Sequence, residues 1–321
     1  MAPSITLKLA NRQRKPPVKR LPPSVDIPNE ATIEDVKMAI AKKAGVGDYN
    51  RIGIFDPETS KIFSDRKALV NAQSNVVSSK ALLVQDLATG PQFAWRTVYL
   101  VEYFGPILFH ALFVWIRPYL NIPWFYENTD KTPLTDVQWL LFWLFQLHFL
   151  KREFETAFVH RFAANTMPAW NIFRNSAFYW GEAGLLCALS IYATWSPARF
   201  PAEPRSGITT LDYVLVALWA VFQACNAIVH VHLVSLRPKN STAKGIPSCI
   251  GSSLVTCPNY MFEVLGWLMV ILISRDVTVV IFILTGIMYM ASWSRDKEKA
   301  LRRLFPDEYK KKKYTMLPGL I

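Results

Sequence analysis

Three polar side chains stand at the start of an apolar run, in the stretch CPNYMFEVLGW that begins at Cys257. Asn259 and Glu263 are four residues apart and therefore share one face of a helix, with Tyr260 beside them. The tyrosine hydroxyl can donate or accept a hydrogen bond, so this group could act on a polar ligand. An ionisable group inside a bilayer costs roughly 2.5–3.5 kcal/mol, which favours a functional role. The alternative is that Tyr260 and Glu263 only anchor the helix at the lipid headgroups.

Two further apolar stretches carry similar polar residues. Glu102 lies in VEYFGP, and Asn226, His230 and Arg237 lie in NAIVHVHLVSLRP at offsets 0, 4 and 11, on one helical face. We expect all of these residues at one membrane depth, because a cavity open to one side would gather them there. Separately, each has an ordinary explanation: a glutamate in a first helical turn is favoured by the helix dipole, and a helix-end arginine often lies near lipid phosphates.

The composition predicts a membrane protein that positions these residues on helices. The chain has 321 residues, of which 51% are hydrophobic and 13% aromatic. A bilayer core is about 30 Å thick, so a spanning helix needs about 20 apolar residues. We expect an all-α polytopic membrane bundle of about six to seven transmembrane helices. Six apolar runs carry this prediction, at residues 97–116, 134–150, 177–195, 209–234, 254–273 and 276–293.

The distribution of Lys and Arg predicts the orientation of the bundle. With the amino-terminal region in the cytosol, six spans place 151–176, 235–253 and the carboxyl tail on the cytosolic side. Basic residues concentrate in these segments, including Lys151, Arg152, Lys239, Lys244 and the tail KEKALRRLFPDEYKKKK. We therefore expect both chain ends in the cytosol. The net charge of +12 is interrupted by apolar spans, which argues against nucleic acid as a partner.

The first 90 residues have a different character and predict a separate domain. Alternating apolar and polar residues predict strands at ITLKL (5–9), RIGIF (51–55) and ALLVQ (81–85). The segment RQRKPPVKRLPPS predicts a turn and a second strand. ATIEDVKMAIAKKAG has helical periodicity, with Met38 on its apolar face and Gly45 as C-cap. This order resembles a ubiquitin-like β-grasp domain over 1–90, followed by a membrane domain over 91–321. A basic, partly disordered tail is the alternative.

Cysteine and histidine spacings predict neither disulfides nor a metal. Cys187, Cys225, Cys249 and Cys257 show no C-x-x-C pattern. His230 and His232 are two residues apart, on nearly opposite faces of a helix, and the histidines form no zinc signature. Glycine-rich nucleotide loops are also absent from the sequence, so side chains would have to hold any nucleotide.

Four long motifs carry a resemblance to a known family. They are WRTVYLVEYFGP, HFLKREFETAFVHRFAANTMPAWNIFRNSAFYW, NAIVHVHLVSLRP and VTCPNYMFEVLGW. Together they resemble the trans-2-enoyl-CoA reductases of very-long-chain fatty acid elongation, in the steroid 5α-reductase superfamily. The resemblance implies a multi-pass endoplasmic reticulum enzyme that uses NADPH to saturate the 2,3 double bond of a very-long-chain trans-2-enoyl-CoA. It also implies contact with membrane lipids and with other membrane components of the elongase.

The resemblance assigns roles to residues of this sequence. It implies catalysis by Tyr260 and Glu102. It implies cofactor binding by eight residues: Asn226, His230, Arg237, Asn259, Glu263, Arg152, His160 and Arg161.

The sequence also departs from the family pattern. Phe149 stands where the steroid branch has a tyrosine after its histidine, and Val234 where an arginine is expected. In the tail, Glu298 replaces a frequent histidine and Leu301 a frequent tyrosine.

A mechanism and two alternatives follow from these assignments. Reduction of an enoyl thioester needs hydride at C3, a proton at C2 and stabilisation of the enolate oxygen. Tyr260 would donate the proton or polarise the carbonyl, and Glu102 would orient the tyrosine hydroxyl or link it to solvent. A steroid or polyprenol reductase would work similarly without binding CoA. A non-catalytic membrane adaptor would bind no NADPH.

Overall fold

The computed structural model describes residues 4–13, 17–63, 65–88, 91–123, 125–162, 166–199, 207–237 and 245–321. Lys239 and Lys244, which contribute to the predicted cytosolic charge, lie outside these residues. The chain forms two compact units. One comprises residues 1–95 and 164–169, and the other comprises residues 96–163 and 170–321.

The first unit is a mixed sheet with one main helix. Its elements are β1 (Ser4–Asn11), β2 (Ser24–Pro28), α1 (Ile33–Ala44), β3 (Ile52–Phe55), α2 (Ser74–Ser79) and β4 (Ala81–Asp86). The sheet order is β2-β1-β4-β3, with β1 and β4 parallel and the two outer pairs antiparallel. The same unit contains a short antiparallel pair, β5 (Gln92–Ala94) with β6 (Thr166–Pro168).

Helix α1 ends at Gly45 as its sequence predicts, but one residue of its predicted apolar face is exposed. Thr32 and Asp35 form a capping box, and Gly45 ends the helix with a φ of 69°. The prediction that Met38 belongs to the apolar face is wrong, because Met38 is 42% exposed and Lys37 is 4% exposed. A long aliphatic stem lets a lysine cover apolar surface in this way.

The predicted position of the second strand is also wrong. The segment RQRKPPVKRLPPS spans residues 12–24, whereas β2 begins only at Ser24 and continues through SVDIP. Prolines lack the N–H that a strand ladder needs, so the proline-rich stretch precedes the strand. Within β2, Val25 and Ile27 are buried and face the core of this unit.

The second unit is helical. Its α-helices are α3 (Trp95–Ile116), α4 (Asp136–Phe154), α5 (Trp170–Ser176), α6 (Cys187–Ile191), α7 (Thr210–Ser235), α8 (Pro258–Ser274) and α9 (Val277–Leu304). A π-helical turn, Glu155–Val159, continues α4, and a longer π-helical segment, Ala177–Leu186, joins α5 to α6. Of the residues that the structure describes, 57% are helical. All four cysteines are unpaired.

Among the residues that the structure describes, three helices are long and apolar enough to cross a membrane. They are Trp95–Tyr119, Thr210–Ser235 and Val277–Leu304, and each coincides with a predicted span. Helix α8 coincides with a fourth predicted span and is apolar but has only 17 residues. The predicted span 134–150 falls on α4, which has Lys151 and Arg152 in its last turn. The predicted span 177–195 begins with the π-helical segment and continues through α6. Three spans are therefore supported by length and composition, and six to seven remain a proposal.

Close contact between α3 and the π-helical segment leads to a stability prediction. A Cβ on Gly105 would lie 2.1 Å from Cδ1 of Trp180, whose indole nitrogen donates a 2.8 Å hydrogen bond to the carbonyl of Val101. We expect Gly105→Ala to lower the free energy of unfolding by about 1–3 kcal/mol, because the ring cannot retreat without losing that bond. Thermal unfolding in detergent measures the change. Gly181→Ala, with nothing within 4 Å of its Cβ, is the control, and equal unfolding midpoints for the two variants would contradict the prediction.

Candidate functional site

A chain of polar contacts crosses from the end of α4 through α7 to the start of α8. The Lys151 ammonium donates to Oδ1 of Asn226 at 2.5 Å. The Asn226 amide nitrogen then donates to the carbonyl of Asn259 at 2.9 Å and to Oε2 of Glu263 at 3.2 Å. Asn226 is 1% exposed. The structure therefore brings together three of the predicted site residues in direct hydrogen-bond contact.

Glu155 joins the basic residues at the end of α4 to α7. Its Oε2 lies 2.8 Å from Nη1 of Arg152 and 2.9 Å from Nδ1 of His230, and its Oε1 lies 3.1 Å from the Lys151 ammonium. Because a carboxylate oxygen only accepts hydrogen bonds, Nδ1 of His230 is the donor in this contact. The hydroxyl of Tyr103 accepts a 2.9 Å hydrogen bond from Nη2 of Arg152.

Burial and neighbouring charges determine the charge states of Glu155 and His160, which follow α4. Burial disfavours ionisation of Glu155, but the His230 hydrogen bond and the charges of Arg152 and Lys151 outweigh it and lower the Glu155 pKa. Burial, together with the Arg152 charge and the neighbouring His230, lowers the pKa of His160 to about 3. At neutral pH Glu155 is therefore a carboxylate and His160 a neutral imidazole.

The other oxygen of Glu263 is held from α4 and from its own helix. Its Oε1 lies 3.2 Å from Nε2 of His148 and accepts a 3.1 Å hydrogen bond from the indole of Trp267. Nδ1 of His148 lies 3.2 Å from Oε1 of Gln223 on α7. Both oxygens of Glu263 thus have partners, and the orientation of its carboxylate is fixed by α4, α7 and α8 together.

Both π-helical segments border this cluster. Glu155 is the first residue of the shorter one, and Tyr179 in the longer one packs edge-on against Tyr103 with ring centroids 5.0 Å apart. π-helical turns are rare and occur frequently at functional sites, because the wider turn re-aims side chains. Their positions next to the cluster are therefore consistent with a site rather than with ordinary helix packing.

Comparison with known proteins places the chain in a family. Residues 165–321 match the family described as 3-oxo-5-alpha-steroid 4-dehydrogenase. The chain is 32% identical to a putative enoyl reductase of Schizosaccharomyces pombe, over 98% of this chain and 99% of the relative. It is 31% identical to the very-long-chain enoyl-CoA reductase of Dictyostelium discoideum, over 91% and 93% of the two chains. A probable very-long-chain enoyl-CoA reductase of Caenorhabditis elegans is 30% identical over 92% and 93%. The chain belongs to the trans-2-enoyl-CoA reductase family.

In the described part of this enoyl-CoA reductase, no hydrogen bond joins the two residues predicted to be catalytic, Tyr260 and Glu102. Glu102 is 1% exposed and accepts a hydrogen bond from Asn175, and its Oε2 has no hydrogen-bond partner among the described residues. The ring of Tyr260 packs against the main apolar core, and its hydroxyl makes no hydrogen bond within the described part of the chain. Tyr99 lies within electrostatic range of both. The structure therefore shows no hydrogen bond between Tyr260 and Glu102 among the described residues.

Two of the predicted cofactor-binding residues, Arg161 and Arg237, each donate a hydrogen bond to the backbone of the other. The Arg161 guanidinium donates to the carbonyl of Arg237 at 2.6 Å, and the Arg237 guanidinium donates to the carbonyl of Arg161. Nε of Arg237 is buried and has no hydrogen-bond partner among the described residues. Arg237 also lines a cavity of about 400 Å³ together with Trp293 and Lys297.

Glu298 has a structural role in the carboxyl tail of this reductase. Its Oε2 accepts 2.5 Å hydrogen bonds from the hydroxyls of Thr256 and Tyr309. The tail then pairs with the segment before α8, since the backbone N–H of Cys257 donates to the carbonyl of Thr315 at 2.9 Å. A residue that departs from the family pattern therefore anchors the tail beside the residues that precede Asn259.

Glu155, His160 and His230 form a group whose ligand atoms lie within 4.8 Å of one another, the kind of arrangement that can hold a metal ion. Nη1 of Arg152 lies 2.8 Å from Oε2 of Glu155 and 3.3 Å from Nδ1 of His230. The guanidinium thus places a positive charge where a cation would bind. We propose no metal site here, and the sequence prediction of no metal stays a prediction.

Sequence reasoning did not assign Glu155 or Tyr103 to the site. A signal existed for Glu155, because Lys151 and Arg152 precede it by four and three residues and therefore face it on a helix. Tyr103 directly follows Glu102, but its contact with Arg152 joins residues 49 positions apart, and only the packing of α3 on α4 creates it.

Proposed function

We propose that the protein catalyses NADPH-dependent reduction of the 2,3 double bond of very-long-chain trans-2-enoyl-CoA, the last step of the fatty acid elongation cycle. The observation that carries this proposal is the hydrogen-bonded group of Asn226, Asn259 and Glu263, with Tyr260 directly following Asn259. A fixed group of amide and carboxylate functions among apolar helices is suited to hold a polar cofactor next to an apolar substrate. The names of the curated relatives support the substrate class.

Unpartnered polar atoms of this chain fit the polar parts of NADPH. Oδ1 of Asn259 and Nε of Arg237 are both buried without a hydrogen-bond partner in the described residues. Asn226, Asn259 and Glu263 would hold the nicotinamide and ribose. Arg237, with Arg152 and Arg161, would bind the phosphates, for which planar guanidinium groups are suited. His230 and His160 would contribute to the same site, since their rings are 5.0 Å apart.

The chemistry assigned to the chain is proton transfer and stabilisation of the enolate. When bound, the cofactor supplies hydride to C3. Tyr260 donates its hydroxyl proton to C2 or hydrogen-bonds the thioester oxygen as negative charge develops there. Glu102, with its free Oε2, orients that hydroxyl across the bound substrate or connects it to solvent.

The location and domain roles complete the proposal. The protein lies in the endoplasmic reticulum membrane with six to seven spans and both ends in the cytosol, where NADPH and acyl-CoA are found, and it contacts other elongase components. The amino-terminal domain is ubiquitin-like. Its sheet order β2-β1-β4-β3, with a parallel central pair and α1 following an antiparallel hairpin, supports that assignment.

Product analysis separates this function from its rivals. Microsomes that contain the protein are supplied with NADPH and either a very-long-chain trans-2-enoyl-CoA or an enone steroid, and products are identified by mass spectrometry. Saturated acyl-CoA supports the proposal. Reduction of the steroid alone would indicate a steroid or polyprenol reductase, and absence of both products together with no saturable NADPH binding would indicate an adaptor.

Removal of the Arg237 side chain should weaken cofactor binding. We expect Arg237→Ala to raise the KM for NADPH by about tenfold or more, because a hydrogen bond to a charged group contributes roughly 1.5–3 kcal/mol. Steady-state kinetics measure this, and the KM for enoyl-CoA should change far less. The control is Arg303→Ala, an exposed arginine in the last turn of α9. An unchanged KM for NADPH in Arg237→Ala would contradict the assignment.

A further inference from the structure

A groove between α4 and α7 takes no part in the proposed contacts to the nicotinamide or phosphates. It has a volume of about 340 Å³. Phe154 and Val159 line it from the end of α4 and its π-helical turn, and Ala224, Ala227 and Val231 line it from α7. Phe154 is 60% exposed and Val231 is 57% exposed, so the groove opens at the outer surface of the helical unit.

The sequence of α7 produces this groove. Ala224, Ala227 and Val231 are three and four residues apart and share one face of the helix, and the two methyl side chains leave space that larger residues would fill. Helix α7 is also apolar and long enough to cross a membrane. The groove therefore lies where α7 approaches the predicted cytosolic face, because residues 151–159 of its other wall follow the predicted span 134–150.

The groove leads to the polar cluster. Its two charged lining residues are Lys151 and Glu155, whose side chains are 3.1 Å apart. Lys151 also donates to Asn226 at 2.5 Å, and Asn226 contacts Glu263. A molecule in the groove would thus contact the Lys151–Glu155 pair, which adjoins the candidate cofactor site, and otherwise mainly apolar side chains.

We propose that this groove holds the acyl chain of the enoyl-CoA substrate, an inference that rests on the proposed function. An aliphatic chain leaves no hydrogen-bonding group unpaired against Phe154, Val159 and the alanines, whereas a nicotinamide or a phosphate would. Both charged lining groups are already paired within the protein, so they need no ligand charge. Ala224 lies on α7 two residues before Asn226 and six before His230, and it lines the groove whereas those two residues do not.

A larger side chain at Ala224 should shorten the acyl chain that the enzyme accepts. We expect Ala224→Phe to lower the ratio of kcat/KM for a very-long-chain trans-2-enoyl-CoA to that for trans-2-hexenoyl-CoA by about tenfold or more, since single methylene groups already change specificity that much. Ala217→Phe, at an exposed position of α7 outside the groove, is the control and should leave the ratio unchanged. An unchanged ratio in Ala224→Phe would overturn the inference.

Photochemical labelling of the unaltered protein gives a second test that does not depend on a variant folding. A very-long-chain acyl-CoA with a diazirine in its alkyl chain is irradiated with the full-length protein, and labelled peptides are identified by mass spectrometry. We expect label in residues 154–159 and 224–231, competed by unlabelled very-long-chain acyl-CoA. Label confined to other helices, or label in these peptides that only a phospholipid displaces, would overturn the inference. Failure of the wild-type enzyme to reduce any enoyl-CoA would instead refute the proposed function.

Discussion

Replacement of Tyr260 by phenylalanine should lower kcat for enoyl-CoA by about 10²–10⁴-fold, the usual contribution of a general acid. The change keeps the ring, which packs against the main apolar core, and removes only a hydroxyl that has no hydrogen-bond partner among the described residues. A purely structural hydroxyl would contribute about 1 kcal/mol at most. The variant should therefore accumulate normally and bind NADPH, and the loss should appear in single-turnover reduction.

A partner variant and a control make this test specific. Glu102→Gln should be similarly damaging, and the double variant should be little worse than either single one, because residues that act as a unit are not additive. Tyr289→Phe on α9 is the matched control, since Tyr289 is 48% exposed on another apolar helix and should tolerate the change. Near-normal turnover of enoyl-CoA by Tyr260→Phe would show that Tyr260 is only an anchor.

Replacement of Glu155 by alanine should be the most destabilising single change in the polar cluster. Glu155 is 3% exposed and pairs with Arg152, Lys151 and His230, so its removal leaves buried positive charge without a partner. Breaking a buried ion pair in this way costs about 3–5 kcal/mol. We expect a lower thermal midpoint in detergent and a loss of folded protein on expression.

The matched control for Glu155 is an exposed ion pair on α9. The Asp296 carboxylate lies 3.9 Å from the Lys299 ammonium, and both side chains are more than 70% exposed. Asp296→Asn should change stability by less than about 1 kcal/mol. If Glu155→Ala is no more destabilising than Asp296→Asn, the ion pairs of Glu155 add nothing measurable to the stability of the folded state, which would contradict the prediction.

The local part of the candidate site could be predicted from the sequence. Asn259 and Glu263 on α8, and Asn226 and His230 on α7, are pairs at a spacing of four residues, and helical geometry alone places each pair on one face. The apolar runs around them predicted the helices that carry them. The C-cap at Gly45 was equally local and was found where the sequence placed it.

The connections between helices could not be predicted in the same way. Lys151 meets Asn226 across 75 residues, and Arg161 meets Arg237 across 76, and only the packing of the helices determines these partners. Sequence reasoning predicted that Glu102 orients the hydroxyl of Tyr260. In the structure, Glu102 accepts a hydrogen bond from Asn175. Periodicity also could not distinguish Met38 from Lys37, because the aliphatic stem of a lysine can be buried as a methionine would be.

The central claim is tested most directly by following the hydride. Purified protein in detergent is given a very-long-chain trans-2-enoyl-CoA and NADPH that carries deuterium at the transferable C4 position, and the product is examined by mass spectrometry. The account predicts saturated acyl-CoA with one deuterium at C3 and a solvent-derived proton at C2. Unchanged enoyl-CoA, in the presence of protein that is folded and saturated with NADPH, would contradict it.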